Sequence, residues 1–326
     1  MASANWAEQT MHTGHDRSLE QRVVFIGGSP RSGTTLVQNI LDCHPSILGG
    51  PEFLHLPDIF KLRKKLLESI AKEWISLICS REDVDTQIRG MIGNFLLAFA
   101  DRHDAGLLSE KTPENVLVFP DLVDLLPEAK LIHVVRDPRA IVASLLGVSR
   151  RAREMGETPA PFTANIDAAV EHVRRCMKSG FATSQQAPDQ VFTVVYEQLV
   201  SQPEQIGRRL CDFLGIEWHP AMSTPGEQKH LGEAAITANS KEIWYDAKTY
   251  YSNPNTDSLD KWRRQLSGAD QMIIARGFAS MPQLQALGYD LTPGHLSAAD
   301  RARAGATFMA RRVGTALIRG LQRITS

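Results

Sequence analysis

The 326-residue chain has little cysteine: Cys43, Cys79, Cys176 and Cys211 lie far apart and form no CxxC pair. That spacing signals neither a zinc site nor a redox pair, and reduced thiols are expected. An excess of one charge is missing too, with 36 Lys and Arg against 37 Asp and Glu for a net charge of −1. Bulk electrostatics therefore gives no reason to expect nucleic acid as a partner, and any basic patch must be local. No stretch reaches the ~18 apolar residues of a membrane span. The first twenty residues are polar, with His12, His15, Asp16 and Glu20, and lack the apolar run of a signal peptide. These absences predict a flexible tail over residues 1–20 and a cytoplasmic protein. No repeat of 20 to 50 residues is visible, which excludes a solenoid.

What is present is an ordinary globular composition, 43% hydrophobic and 22% charged, long enough for one α/β domain with additions or for two domains. Val23 to Ile26 is a short, β-branched apolar run ending at Gly27 and Gly28, the pattern of a buried parallel strand. Thr35 to Cys43 follows with helical spacing of Leu36, Ile40 and Leu41 and is stopped by His44-Pro45. Helices are expected at 58–70, 85–101, 140–146, 164–184 and 204–214, and strands at 107–108, 131–135 and 191–195. Gly215 closes the helix before it. Alternating strands and helices predict a mainly parallel sheet flanked by helices in three layers. Periodicity fades from Thr224 to Ser258, where Trp244, Tyr245, Tyr250 and Tyr251 mark an aromatic loop, and helical pattern returns over 259–288.

The strand-to-helix junction reads Gly28-Ser-Pro-Arg-Ser-Gly33-Thr34-Thr35, the spacing of a Walker A loop with threonine in place of its lysine. Backbone N–H groups at the head of the helix suit an anion, and Arg31 adds a cation. A nucleotide kinase would want the missing lysine and an aspartate for Mg²⁺. The one aspartate after a strand, Asp137, stands between two cations in Arg136-Asp-Pro-Arg139. Metal-ligand spacing is not evident elsewhere.

Taken together, Pro30-Arg-Ser-Gly-Thr-Thr35 and Arg136-Asp-Pro-Arg-Ala-Ile-Val-Ala-Ser144 resemble the two donor-binding motifs of sulfotransferases that use 3′-phosphoadenosine 5′-phosphosulfate (PAPS). The resemblance implies a P-loop-like α/β fold over residues 21–295, with Arg31, Ser32, Gly33, Thr34 and Thr35 on the 5′-phosphosulfate and Arg136 and Ser144 on the 3′-phosphate. Ser144 lies two helical turns beyond Pro138, where its hydroxyl is expected to join the Arg136 guanidinium. Leu41-Asp-x-His-Pro45 and Glu52 make the tyrosylprotein sulfotransferase type the nearer likeness. Tyr196 matches a strand-end tyrosine facing the nucleotide, and Ser240 and Lys248 match a donor-covering loop at altered spacing. Leu54 stands where that group has an arginine associated with peptide acceptors, so a small-molecule, lipid or glycan hydroxyl is expected ahead of peptide tyrosine.

In that scheme Glu52 is the base, Lys111 in Glu110-Lys-Thr-Pro113 stabilises the leaving group with Arg31, and PAPS is the sole co-substrate with no metal. His55 is the rival base, whereas His133 and His44 read as structural. A kinase-like P-loop enzyme and a non-catalytic nucleotide-binding module are the alternatives. Beyond Asp300 the tail carries arginines and no acid. Met309, Val313, Leu317, Leu321 and Ile324 form an apolar stripe there, so 296–326 reads as a basic amphipathic segment for an anionic membrane surface or for packing.

Overall fold

The computed structural model describes residues 18–232, 243–244 and 252–292. Ser240, Lys248, the segment 296–326 and residues 1–17 of the expected tail lie outside the described residues. Leu19 and Glu20, expected in the tail, instead open the fold. Helix α1 (Leu19–Arg22) buries Leu19 and runs straight into strand β1 (Val23–Gly28).

All six residues of β1 are buried, as a central parallel strand requires. Helix α2 (Thr34–Asp42) and the short strand β2 (Ile47–Gly49) follow, then helices α3 (Leu56–Ala71) and α4 (Arg81–Arg102) and strand β3 (Leu107–Lys111). A 3-10 turn (Pro113–Val118) and α5 (Phe119–Leu125) lead to β4 (Lys130–Val135), α6 (Pro138–Glu154), α7 (Ile166–Gln186) and β5 (Val191–Val195). Helices α8 (Tyr196–Ser201) and α9 (Pro203–Leu214) come next, α9 ending on Gly215 at φ 69°. Three short helices, Trp262–Gln265, Gly268–Phe278 and Pro282–Ala286, replace the single helical stretch expected over 259–288.

The five strands are all parallel, in the order β2-β3-β1-β4-β5. Alternation along β1 feeds two cores. Val24 and Ile26 pack with Val37 and Ile40 of α2 and Leu210 of α9, while Val23 and Phe25 pack with Leu56, Ile92 and Leu122 of α3, α4 and α5. A third cluster joins α6 and α7 to the C-terminal helices around Trp262, Ile274 and Phe278. The result is the three-layer α/β fold expected. Among the described residues no helix is long and apolar enough to cross a membrane, and the four cysteines are free, three of them buried.

One polar clamp fixes the helices of the α3 face. Arg63 of α3 is buried and donates to Asp85 at 2.6 Å and Asp124 at 2.7 Å, and Arg81 adds a second contact to Asp124 at 2.6 Å. Burial pushes the Asp85 carboxyl up, but the hydrogen bonds and charges of Arg63 and Arg81 outweigh it and hold the pKa below the ordinary value. A depressed carboxylate contributes stability that is complete above the usual aspartate pKa of ~3.9 and fades as pH falls through the lowered value. Arg63→Ala is expected to destabilise the fold by about 2 kcal/mol, less than the ~3–5 of a fully buried pair because Asp124 stays half-exposed. Urea denaturation at pH 7 measures it, and the deficit should shrink at pH 3.

Candidate active site

Because every strand runs the same way, the loops after all five open along one edge of the sheet, where ligands of open α/β sheets bind. Those loops carry the residues singled out in the sequence.

The loop after β1 is shaped by two left-handed residues, Arg31 at φ 75° and Gly33 at φ 105°. Alternating handedness turns successive N–H groups inward and forms an anion-binding concavity. Gly33 is the N-cap of α2 and has no side chain to occupy the first-turn N–H groups. Glycine is required there for space as well, since a Cβ would stand 2.4 Å from Cδ2 of Tyr196. Thr34 is buried and Thr35 half-buried at the start of the helix.

Arg136 leaves β4 and lies with its guanidinium 4.2 Å over the Tyr196 ring. It donates to the Ser258 carbonyl at 3.2 Å and hydroxyl at 3.0 Å, and to the Arg31 carbonyl at 3.3 Å. Tyr196 directly follows the end of β5, as expected, as the first residue of α8, and its hydroxyl meets Ser258 Oγ at 3.1 Å. Ser144 sits two turns into α6 as expected, yet its hydroxyl accepts from Arg31 Nε at 3.0 Å rather than joining Arg136. Arg31 also donates to the Trp244 carbonyl at 2.7 Å. Ser258 and the Trp244 carbonyl were not identified from sequence; they come from the aperiodic region and belong to no motif.

Arg31, Gly33, Thr34, Thr35, Arg136 and Tyr196 line one cavity together with residues 252–255. Among the described residues, buried Ser32 Oγ and Arg136 Nε have no hydrogen-bond partner. Buried polar atoms are normally satisfied, so two orphans beside an N–H-lined loop and two guanidinium groups fit a phosphate-bearing ligand.

The second group comes from β2 and β3, the two strands on one side of β1. Lys111, the last residue of β3, is wholly buried and its ammonium donates to Glu52 Oε1. Glu52 stands in the irregular segment between β2 and α3 and keeps part of its carboxylate accessible. Its neighbours give the approach an apolar character: Phe53 packs 5.5 Å from Phe95, and Leu54 and Phe95 are more than half exposed. His55 is 73% exposed at the head of α3, facing Asp58 at 3.9 Å. His133 is buried against Phe181, with burial pushing its pKa down to about 3. His44 is bonded on both ring nitrogens, to Glu217 O and Ser46 N.

Asp137 caps α6, and its carboxylate is taken by the Arg139 side chain at 2.8 Å and backbone N–H at 2.8 Å. That engagement removes the one aspartate a kinase reading had for Mg²⁺. Among the described residues no cluster of three or more His, Cys, Asp or Glu could hold a metal ion.

Residues 23–220 match the family described as Sulfotransferase family. The protein-tyrosine sulfotransferase of Drosophila melanogaster is 29% identical over 279 residues, covering 83% of this chain and 52% of that protein. Protein-tyrosine sulfotransferase A of Caenorhabditis elegans is 31% identical over 278 residues, covering 82% of this chain and 67% of that protein. The chain thus spans about half the fly protein and two thirds of the worm protein. A mouse sulfotransferase solved in complex with PAP shares the fold at 13% identity and TM-score 0.50, over 83% of this chain and 88% of that one.

Proposed function

Since this chain belongs to the sulfotransferase family, we propose that it transfers the sulfuryl group of PAPS to an acceptor hydroxyl, with Glu52 as base and Lys111 on the leaving group. The observation that carries the reading is the contact of a fully buried lysine with a partly accessible carboxylate, the lysine ending the strand paired with β1, whose following loop is built for phosphate. PAPS, when bound, supplies an electrophilic sulfur whose bond to the 5′-phosphate breaks as the acceptor oxygen attacks in line.

The chain's own groups divide the work. Arg31, Ser32 and the N–H groups of residues 33–35 hold the 5′-phosphosulfate, while Arg136 with Tyr196 holds the 3′-phosphate end. Ser144 steadies Arg31. Glu52 takes the acceptor proton. Lys111 has three N–H donors, so it keeps Glu52 in place while offering another to the oxygen on which charge develops. The exposed Leu54 and Phe95, beside the partly buried Phe53, favour a hydroxyl borne on an apolar or aromatic body. The names of the relatives make a tyrosyl side chain one such acceptor, beside small phenols and lipid alcohols.

Adenosine 3′,5′-bisphosphate (PAP) at a hundred times its dissociation constant should stabilise the protein by ~2.7 kcal/mol without Mg²⁺. Transfer of ³⁵S from labelled PAPS to an acceptor panel should then register turnover. Stabilisation by ATP-Mg²⁺ in place of PAP would overturn the reading in favour of a kinase, and PAP binding with no transfer to any acceptor would favour a binding module. Lys111→Ala is expected to lower kcat more than it weakens PAP binding, because its contact strengthens as charge builds. Single-turnover rates beside calorimetric affinities separate the two effects.

A further inference from the structure

Glu110 has no role in the scheme above, although it adjoins Lys111 in sequence. It lies on β3, paired in register with Phe25, and is 1% exposed. Oε1 accepts from the Phe53 backbone N–H at 3.0 Å and from the Thr112 hydroxyl at 2.7 Å, and Oε2 accepts from the Asn115 side-chain amide. Thr112 and Asn115 are themselves buried, and the Asn115 amide also reaches toward the Ile26 carbonyl at 3.5 Å. Three residues of the Glu110–Asn115 segment therefore form one buried polar unit whose outward contacts are the Phe53 N–H and the Ile26 carbonyl.

That contact falls next to Glu52. The segment between β2 and α3 has no regular secondary structure, so it lacks the ladder that would otherwise fix it. Upstream, the Gly49 N–H donates to Asp42 at 2.5 Å and the Gly50 carbonyl accepts from Gln38 at 3.0 Å. Downstream, the Phe53 N–H donates to Glu110. Glu52 is suspended between these anchors, and its side chain meets Lys111, the residue after Glu110.

Burying a carboxylate with its donors is a poor route to stability, since an apolar group of the same volume is often as good or better. Burial, reinforced by the nearby Glu52 charge, pushes the Glu110 pKa up to about 7 against the three hydrogen bonds that lower it. What the buried carboxylate provides, and an apolar residue would not, is a directional grip on one N–H group.

We propose that Glu110 is a positioning residue for Glu52, holding the Phe53 main chain so that the Glu52 carboxylate stays on Lys111 and on the acceptor hydroxyl. The proposal rests on Glu52 being the base. Displacing a reacting group by about 1 Å can cost ~10²-fold in rate.

The experiment is a double-mutant cycle on full-length protein with PAPS and a phenolic acceptor. Glu110→Ala removes the acceptor for the Phe53 N–H and is expected to lower kcat by ~10–100-fold, with PAP affinity and acceptor KM changed by less than about twofold. Glu110→Gln, which keeps an oxygen for that N–H, should recover most of the rate. In a Glu52→Gln background Glu110→Ala should cost almost nothing, because the group it positions is gone. Asn115→Ala, which releases one side of the Glu110 carboxylate, should cost a smaller part of the rate and serves if Glu110→Ala does not fold. A Glu110→Ala loss persisting in full in the Glu52→Gln background, a loss appearing in PAP affinity alone, or a Glu110→Gln loss as large as that of Glu110→Ala would overturn the proposal. Normal turnover by Glu52→Gln alone would instead overturn the choice of base.

Discussion

Glu52→Gln is expected to lower kcat by ~10²–10⁴-fold, the contribution of a positioned general base, while leaving PAP affinity and thermal stability near wild type. The amide keeps an oxygen for the Lys111 ammonium, so the ion pair becomes a hydrogen bond from a cation to a neutral amide rather than a cavity, but it cannot take the acceptor proton. Glu52 is also not among the residues lining the cavity around Arg31, Arg136 and Tyr196, which is why donor binding should not respond. His55→Ala provides the contrast: with its ring exposed and turned to Asp58 it should keep almost full activity. Rates of ³⁵S transfer at saturating PAPS decide, and an active Glu52→Gln beside a dead His55→Ala would reverse the assignment.

Arg31→Ala and Arg136→Ala should each weaken PAP binding by ~1.5–3 kcal/mol, about one to two decades in Kd, by removing a charge-assisted phosphate contact. The two losses should not add. The Arg136 guanidinium donates to the Arg31 carbonyl, so it supports the loop that carries the other arginine, and removing both costs less than the sum. Lysine should recover only part of either, because a point charge reproduces neither the bond from Arg31 Nε to Ser144 nor the stack of Arg136 on Tyr196. Titration calorimetry with PAP tests all five variants, and unchanged affinity in both alanine variants would remove the donor assignment.

What could be read from the sequence was local. The strand, the Arg31 loop and α2 occupy twenty consecutive residues whose composition changes in step with their geometry, so the phosphate loop was visible without a fold. Strand β2 was not seen, because three residues at a sheet edge carry no periodicity. Helix α4 starts at Arg81, four residues before the expected Asp85, because its signal is a Ser80–Asp83 capping box that precedes any apolar residue of the helix. Ser258 was out of reach because it meets Arg136 across 122 residues, from a region with no element to anchor a reading. Glu110 was overlooked for a different reason. A charged residue in a strand reads as a solvated face until its three donors are known.

The strand order has a consequence for how such a protein changes over time. The residues we assign to the donor follow β1, β4 and β5, whereas Glu52 follows β2 and Lys111 ends β3, so the proposed base and its lysine come from one flank of the central strand and the donor contacts from the central strand and its other flank. On the proposed assignment, substitutions in the 50–55 segment or on the exposed surface of α4 would alter what approaches Glu52 without touching a residue assigned to the donor. Acceptor preference could then change while the donor stays the same.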